Sequence, residues 1–189
     1  RSARMDRLND EKKLLKNWLD GDERAFEMIL DHYGSYVLNF LYRLSGNKET
    51  AEELSQEVFI RLIKAARDLK GESSLGTWLY RVSYNIFIDK ARAAEPRQEE
   101  IDERVMAIGS GSPPAEKEIE KKELNRLMMK SISKLPKEQA AAIYLFYFEE
   151  ADLKEISRVL KASEGKVKTL LFRGREKLRE IMVPSLQQE

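Results

Sequence analysis

Residues 152–179 carry the sequence DLKEISRVLKASEGKVKTLLFRGREKLR. Asp152 and Glu155 have the spacing of a capping box, which predicts that a helix begins here. That short helix is followed by a three-residue break at 161–163 and by a longer basic helix over about 164–182. Two helices joined by a tight turn predict a helix-turn-helix unit, whose second helix enters the major groove of duplex DNA.

The basic residues of the second helix are placed to hold phosphates. Between Lys161 and Arg179 there are seven basic residues and two acidic ones. Val167, Leu171, Gly174 and Leu178 form the inward stripe, and cations lie on both sides of it. Phosphates flank an inserted helix on both sides. A solvated helix with cations near its C-terminal dipole is the alternative, which the preceding capped helix and turn disfavour. The candidate DNA contacts here are Ser163, Lys166, Lys168, Thr169, Arg173 and Arg175.

The rest of the chain also predicts helices, which makes the fold class all-α. Apolar residues recur at intervals of three and four, and no alternating stretch is long enough for a strand. In the first half we expect a short helix at 14–19, one capped by Asp22 and ended by Gly46, one capped by Asn47, and one over 74–92. In the second half we expect helices at 117–134, 136–149, 152–160 and 164–182.

A change of composition divides the chain. Residues 95–118 hold three of the five prolines and a Gly-Ser-Gly-Ser-Pro-Pro run, and their net charge is −4. Residues 119–189 have a net charge of +4. We therefore predict two small helical domains, 5–94 and 119–183, joined by a flexible acidic linker, 95–118. A long surface loop within one domain is the alternative, but structureless loops of this length are uncommon.

The helix of residues 74–92 mixes aromatic and basic side chains, a composition that grips single-stranded nucleic acid. We assign Trp78 and Phe87 to the core because they lie on or beside the apolar stripe. Candidate DNA contacts that we place away from this stripe are Arg81, Tyr84, Asn85 and Arg92.

The helix that follows Asn47 begins with an acidic face formed by Glu49, Glu52, Glu53 and Glu57. The helix dipole explains the first three of these glutamates. It does not explain Gln56 and Glu57, or Phe59 and Ile63, which we expect to be exposed. An acidic face edged by apolar side chains suits a basic protein partner. Paired-carboxylate catalysis is disfavoured, because no companion base lies nearby.

Composition excludes most catalytic chemistry. The chain has no cysteine and one histidine, which rules out disulfides, thiol nucleophiles and zinc sites of the usual nitrogen and sulfur type. We expect no enzymatic activity, metal or cofactor. No apolar run reaches the roughly 18 residues that span a bilayer, and no signal peptide opens the chain, so we expect a cytoplasmic protein without membrane insertion.

Four segments resemble a known family. They are AEELSQEVFIRLIKA (51–65), TWLYRVSYNIFIDKAR (77–92), LPKEQAAAIYLFYFEE (135–150) and KEISRVLKASEGKVKTLLFRGREKLRE (154–180). In this order they resemble the second-domain and fourth-domain signatures of the extracytoplasmic-function, or group IV, sigma factors. These are initiation factors of bacterial RNA polymerase with a sigma-2 type helical bundle and a sigma-4 type helix-turn-helix domain.

The resemblance implies a role for each segment. The acidic face would dock on the coiled coil of the β′ subunit, and residues 135–150 would lie against the β-flap tip. The loop of residues 70–76, which includes Ser74, and the helix behind it would melt and bind the minus-ten element. The final helix would bind the minus-thirty-five element as duplex. Residues implied in polymerase binding are Glu53, Leu54, Gln56, Glu57, Phe59 and Ile63.

The resemblance also implies regulation. Sigma factors of this type are usually held by an anti-sigma factor, often membrane-anchored, that covers the polymerase-binding faces. We expect one here.

This sequence departs from the family pattern at five positions. Lys161 stands where the turn glycine is usual, which implies a residue with positive φ at that bend. Lys166 replaces Thr or Ser, and Leu170 replaces Arg, so one expected DNA contact is lost and another changes type. Glu150 replaces a glycine and Ser157 replaces an alanine. Promoter preference is therefore hard to carry over from the family.

Two other functions stay open at this point. A sigma-factor mimic would sequester an anti-sigma factor without promoting transcription. Leu170 and Lys161 favour this reading. The retained residues that oppose it are Arg81, Asn85, Lys168 and Arg173. A stand-alone helix-turn-helix regulator would need a dimer interface and tight DNA binding without polymerase.

Overall fold

The computed structural model describes residues 2–69, 73–93, 127–128 and 130–186. Within these ranges the chain forms helices and turns and no strand, which confirms the all-α prediction. The helices are α1 (Ser2–Leu19), α2 (Glu23–Ser45), α3 (Lys48–Ala65), a 3₁₀ turn (Ala66–Asp68), α4 (Leu75–Ala93), α5 (Lys137–Tyr147), α6 (Leu153–Leu160) and α7 (Glu164–Leu186). Residues 130–133 are also helical.

The described residues divide into two compact units. The first unit runs to Leu41 and resumes from Glu49 through α4, whereas the second contains Tyr42–Lys48 and the described residues from 127 onward. The predicted linker 95–118 lies outside the described residues, as does most of the predicted helix 117–134.

Local signals fix most helix ends in the first unit. Asp22 Oδ1 accepts a hydrogen bond from the backbone N–H of Arg24 (3.1 Å) at the start of α2. Ser74 Oγ accepts one from Thr77 (3.0 Å) at the start of α4. Gly46, at the end of α2, has a φ of 71°, which a glycine adopts at little cost. The expected start of the first helix at residue 14 is wrong, because α1 begins at Ser2.

The core of the first unit lies between α2, α3 and α4. Phe40 and Tyr80 meet edge to face with ring centroids 5.1 Å apart, which joins α2 to α4. Trp18 stacks on Phe26 at 4.6 Å and joins the end of α1 to α2. Fully buried side chains of this core include Ile29, Val37, Phe40, Leu41, Leu54, Val58, Leu62 and Leu79.

In the second unit, helices α5, α6 and α7 all contact one another. The predicted capping box at the start of α6 is confirmed. Glu155 N–H donates to Asp152 Oδ1 (2.8 Å), and Asp152 N–H donates to Glu155 Oε2 (3.0 Å). Buried side chains of this core include Ile132, Ile143, Leu145, Ile156, Val159, Val167 and Leu171.

Helix α7 packs closely against α5 at Gly174. A Cβ atom added there would lie 2.8 Å from Cγ1 and 3.2 Å from Cδ1 of Ile143. Real side chains do not come this close, so only a glycine fits. This contact confirms that Gly174 belongs to the inward stripe of α7.

Among the described residues, no helix combines the length and the apolar character needed to cross a bilayer.

In the second unit, the guanidinium of Arg43 lies 5.4 Å from the ring centroid of Tyr42, and burial lowers the pKa of this arginine.

The close contact at Gly174 yields a stability prediction. Gly174→Ala should destabilise the second unit by about 1–3 kcal/mol, because the new methyl group overlaps Ile143. Both tryptophans lie in the first unit, so their fluorescence does not report on unfolding of the second. The change in stability is therefore measured by hydrogen exchange of α5 and α7 peptides at increasing urea concentrations. Gly165→Ala is the matched control: its nearest neighbour would be Ser163 Oγ at 3.9 Å. Equal protection in the two variants would contradict the overlap.

Candidate nucleic-acid interface

The turn between α6 and α7 closes without a glycine. Lys161 has φ 51° and ψ 45°, as the sequence departure implied. The backbone N–H of Ala162 donates to the carbonyl of Ser157 (3.1 Å), and the Ser157 hydroxyl donates to the Ala162 carbonyl. Ser157 therefore holds the turn by two bonds, which offsets the strain of left-handed backbone at a lysine.

Ser163 caps the start of α7. Its Oγ accepts a hydrogen bond from the backbone N–H of Lys166 (3.2 Å), and its carbonyl accepts one from Val167 (3.0 Å). Thr169 Oγ1 donates to the carbonyl of Gly165 (3.0 Å). Both predicted hydroxyl contacts are exposed, and each also makes a bond within its own helix.

The cations of α7 differ in how far they are already engaged. Lys166 Nζ lies 2.7 Å from Glu138 Oε1 of α5. Arg175 Nε donates to the carbonyl of Leu171 (3.2 Å). Lys168 and Arg173 are exposed and pair with no acidic side chain among the described residues. These two cations are therefore the most available for phosphates or bases.

Leu170 does not lie on the outer flank of α7. It is 8% exposed and belongs to the core of the second unit. The inward-facing side chain agrees with the expectation that a DNA contact is lost at this position. The apolar stripe of α7 is one residue wider than the spacing of Val167, Leu171 and Gly174 indicates.

On α4, three of the predicted DNA contacts share one face. Arg81 and Asn85 are partly exposed and Arg92 is exposed. Their spacing of four and seven residues places them above one another along the helix. Ser74, also predicted here, bonds to Thr77 through its hydroxyl (2.8 Å) as part of the helix cap.

The prediction that Tyr84 lies away from the core is wrong. Tyr84 is 7% exposed and packs inside the first unit. The buried stripe of α4 includes Tyr80, Ser83 and Phe87, and is therefore wide enough to take in position 84. Phe87 is buried as expected, whereas Trp78, assigned to the core, is only partly buried.

The acidic face of α3 is partly neutralised by the chain itself. Glu53 pairs with Lys90 of α4, and Glu57 pairs with Arg61 one turn along α3. Glu49, Glu52 and Gln56 are exposed. Glu53 and Glu57, the carboxylates predicted to bind polymerase, are therefore accessible to solvent, and each already has a cation beside it.

The apolar edge of the acidic face differs from the prediction. Leu54 and Phe59 are 1% and 9% exposed, so the expectation that Phe59 is exposed is wrong. Phe59 lies next to the buried Val58 and widens the stripe. Ile63 is 53% exposed as expected, and Ile60, which the sequence analysis missed, is 49% exposed. The three-residue spacing of Ile60 and Ile63 was the available signal.

A second apolar feature lies on the helix-turn-helix unit. An open groove of about 300 Å³ is lined by Pro136 and Gln139 near the start of α5 and by Phe172 and Arg173 of α7. Phe172 is 62% exposed. The sequence analysis did not single out Phe172 as an exposed apolar residue.

Sequence comparison bears directly on these faces. The chain matches the models for sigma-70 region 2 over residues 29–97 and sigma-70 region 4 over residues 125–178. The first match contains α3 and α4, and the second contains α5, α6 and most of α7. A relative from Bacillus subtilis, the ECF RNA polymerase sigma factor SigW, is 33% identical over 89% of this chain and 95% of its own length.

This chain belongs to the extracytoplasmic-function sigma factors. Its similarity extends to the RNA polymerase sigma-H factor of Pseudomonas aeruginosa, 26% identical over 94% of this chain and 96% of that protein. Membership in a family of initiation factors confirms the prediction that the chain is not an enzyme. Among the described residues, no three acidic or histidine side chains form a group that could hold a metal ion.

Solved structures share the fold. CnrH, in complex with the cytosolic domain of CnrY, aligns with a TM-score of 0.66 at 18% identity and covers 92% of this sigma factor and 97% of its own chain. The sigma factor RpoE of Bartonella quintana, in complex with the anti-sigma factor NepR, aligns with a TM-score of 0.62 at 17% identity and covers 83% and 96%. At these identities the alignments support the fold alone.

The left-handed lysine in the turn yields a second stability prediction. Lys161→Gly should stabilise the second unit by about 1 kcal/mol, because glycine adopts this conformation without the Cβ clash. Urea dependence of hydrogen exchange in α6 and α7 measures the change. Lys161→Ala, which keeps the clash and removes only the charge, is the control. A glycine variant no more stable than the alanine variant would argue against strain at the turn.

Proposed function

We propose that this sigma factor recruits core RNA polymerase to a set of promoters and helps to open them, the polymerase performing the chemistry. The first domain, 5–94, binds the polymerase and the minus-ten element. The second, 119–183, binds the minus-thirty-five element, and residues 95–118 link them. The observation that carries this proposal is the pairing of a capped helix-turn-helix unit with a helix bundle that bears Arg81, Asn85 and Arg92 on one face.

For the minus-thirty-five element, the support comes from α7. Lys168 and Arg173 are exposed cations on either side of the buried stripe, where phosphates flank an inserted helix. Lys166 also faces solvent, and its bond to Glu138 must exchange for a DNA contact. Such an exposed pair is worth at most about 1 kcal/mol, so the exchange costs little.

For the minus-ten element, the support comes from α4 and the loop before it. Arg81 and Arg92 supply positive charge, and Asn85 supplies an amide that hydrogen-bonds base edges. Tyr84 is buried and is not included among the proposed contacts.

For the polymerase, we assign the acidic face of α3 to the β′ coiled coil. Ile60 and Ile63 provide exposed apolar area beside Glu53, Gln56 and Glu57. The groove at Pro136, Gln139 and Phe172 lies in and beside the segment assigned to the β-flap tip. An apolar groove with a charged rim suits a short helix from a partner.

We further propose cytoplasmic location and control by an anti-sigma factor, often membrane-anchored in this family. One structural neighbour, RpoE, was solved with the anti-sigma factor NepR, and another, CnrH, was solved with the cytosolic domain of CnrY. Run-off transcription with bacterial core polymerase on linear duplexes with randomised upstream regions tests the function as a whole. Enriched upstream sequences support it. Stable core binding without transcripts would indicate the sigma-factor mimic instead.

Arg173→Ala tests the assignment of α7. If Arg173 contacts a base, promoter binding by the holoenzyme should weaken by about 1–3 kcal/mol. If Arg173 holds a phosphate instead, the slope of the logarithm of promoter affinity against the logarithm of salt concentration should become less steep by about one. The measurement is promoter affinity at several salt concentrations on a template selected by the wild type. Arg179→Ala is the control, because Arg179 is a similarly exposed cation that pairs with Glu176 (3.1 Å). Equal losses in both variants would point to non-specific charge.

Glu53→Lys tests the assignment of α3. This variant should weaken core binding at least tenfold, because it places a cation toward a basic partner. The charge swap Glu53→Lys with Lys90→Glu restores the internal ion pair. It therefore separates the pairing of Glu53 with Lys90 from the proposed contact of Glu53 with polymerase. We expect the swap to remain defective in core binding, with both variants close to wild type in stability because the pair is exposed. Full recovery of binding in the swap would show that the internal pair alone matters.

A further inference from the structure

Glu11, on α1, reaches the start of α4 from 64 residues away in sequence. Its Oε2 accepts a hydrogen bond from the backbone N–H of Leu75 (3.0 Å). Its Oε1 accepts one from the hydroxyl of Tyr33 on α2. One carboxylate therefore ties three helices of the first unit together.

Tyr33 adds a steric contact at the same place. A Cβ on Gly76, the second residue of α4, would lie 3.3 Å from Tyr33 Cε1. This distance is tighter than ordinary van der Waals contact, so the tyrosine ring lies directly against the first turn of α4. The ring is 8% exposed and its position is fixed by the surrounding core.

Glu11 and Ser74 satisfy different donors at the start of α4. The hydroxyl of Ser74 accepts from the backbone N–H of Thr77, whereas Glu11 accepts from that of Leu75, which is 7% exposed. A carboxylate at this end interacts favourably with the helix dipole. What Glu11 adds is a link between α4 and a distant helix.

Helix α1 also contacts the 3₁₀ turn, Ala66–Asp68. The 3₁₀ turn and α4 are the two elements that flank the loop assigned to the minus-ten element. The elements on both sides of that loop therefore contact α1, and α4 does so through Glu11.

We propose that Glu11 is a positioning residue for minus-ten recognition, which fixes the start of α4 relative to the 3₁₀ turn before DNA arrives. The proposal rests on the proposed function. Binding groups that are fixed beforehand lose less entropy when they capture an unpaired base. Glu11 acts through Leu75 and Tyr33 and does not itself contact DNA.

The experiment compares full-length variants in holoenzyme with core polymerase. Wild-type holoenzyme first selects templates from linear duplexes with randomised upstream regions. Glu11→Ala should then yield about tenfold fewer transcripts from the selected templates. In a fresh selection it should show weaker base preference at the minus-ten element and unchanged preference at the minus-thirty-five element. Core affinity should stay within twofold of wild type.

Three variants sharpen the result. Glu11→Gln keeps an acceptor oxygen for Leu75 and should retain at least half of the wild-type transcript yield. Tyr33→Phe keeps the ring against Gly76 but loses the hydroxyl, and should fall between wild type and Glu11→Ala. Glu27→Ala removes an exposed carboxylate from α2 and should match wild type.

A separate readout needs no promoter. Amide hydrogen exchange in the free protein should accelerate over residues 75–78 in Glu11→Ala, but not in Glu27→Ala. Unchanged exchange, or base preferences equal to those of Glu27→Ala, would overturn the proposal. So would a general loss of stability with both promoter elements affected alike. If the wild type produces no transcripts, the proposed function fails, whereas the exchange result still reports on the Glu11 contact.

Discussion

The surface that α7 presents depends on its contact with α5 at Gly174. A Cβ atom on Gly174 would lie 2.8 Å from Cγ1 of Ile143, so this turn of α7 packs directly against α5. Leu170 and Val167 then face the core, while Lys168 and Arg173 face solvent. The orientation of the cations follows from a packing constraint on the opposite side of the helix, rather than from the cations themselves. A recognition surface of this kind is as rigid as the core that supports it.

In the first unit, an ion pair joins the two faces assigned to binding. Glu53 on α3 pairs with Lys90 on α4, so one ion pair joins the face assigned to polymerase to the helix assigned to DNA. Because both side chains are exposed, the pair contributes little to stability and exchanges readily. The face assigned to polymerase and the helix assigned to DNA are therefore adjacent in the first unit.

Local signals predicted much of this fold, because they act within a few residues. The Asp152 capping box and the glycine at position 46 each determine a helix end through neighbouring backbone groups. Predictions of which face a residue occupies were less accurate. Tyr84 and Phe59 lie at the edge of a stripe, and the width of that stripe depends on the helices packed against it. The Glu11 contact joins residues 64 positions apart, and no periodicity in the sequence indicates such a pair.

The departures from the family pattern gain a physical meaning from these contacts. Next to Lys161, Ser157, itself a departure, bonds twice to Ala162: its carbonyl accepts from the backbone N–H and its hydroxyl donates to the carbonyl. The hydroxyl bond is the one that an alanine at position 157 could not make. Leu170 is accommodated by burial, which removes one position from the outer surface of α7 and leaves fewer side chains to discriminate bases. The predicted contacts that remain exposed on this helix differ in how far they are engaged: Ser163 and Thr169 each make a hydrogen bond at the start of α7, Lys166 pairs with Glu138, and Lys168 and Arg173 pair with no described acidic side chain.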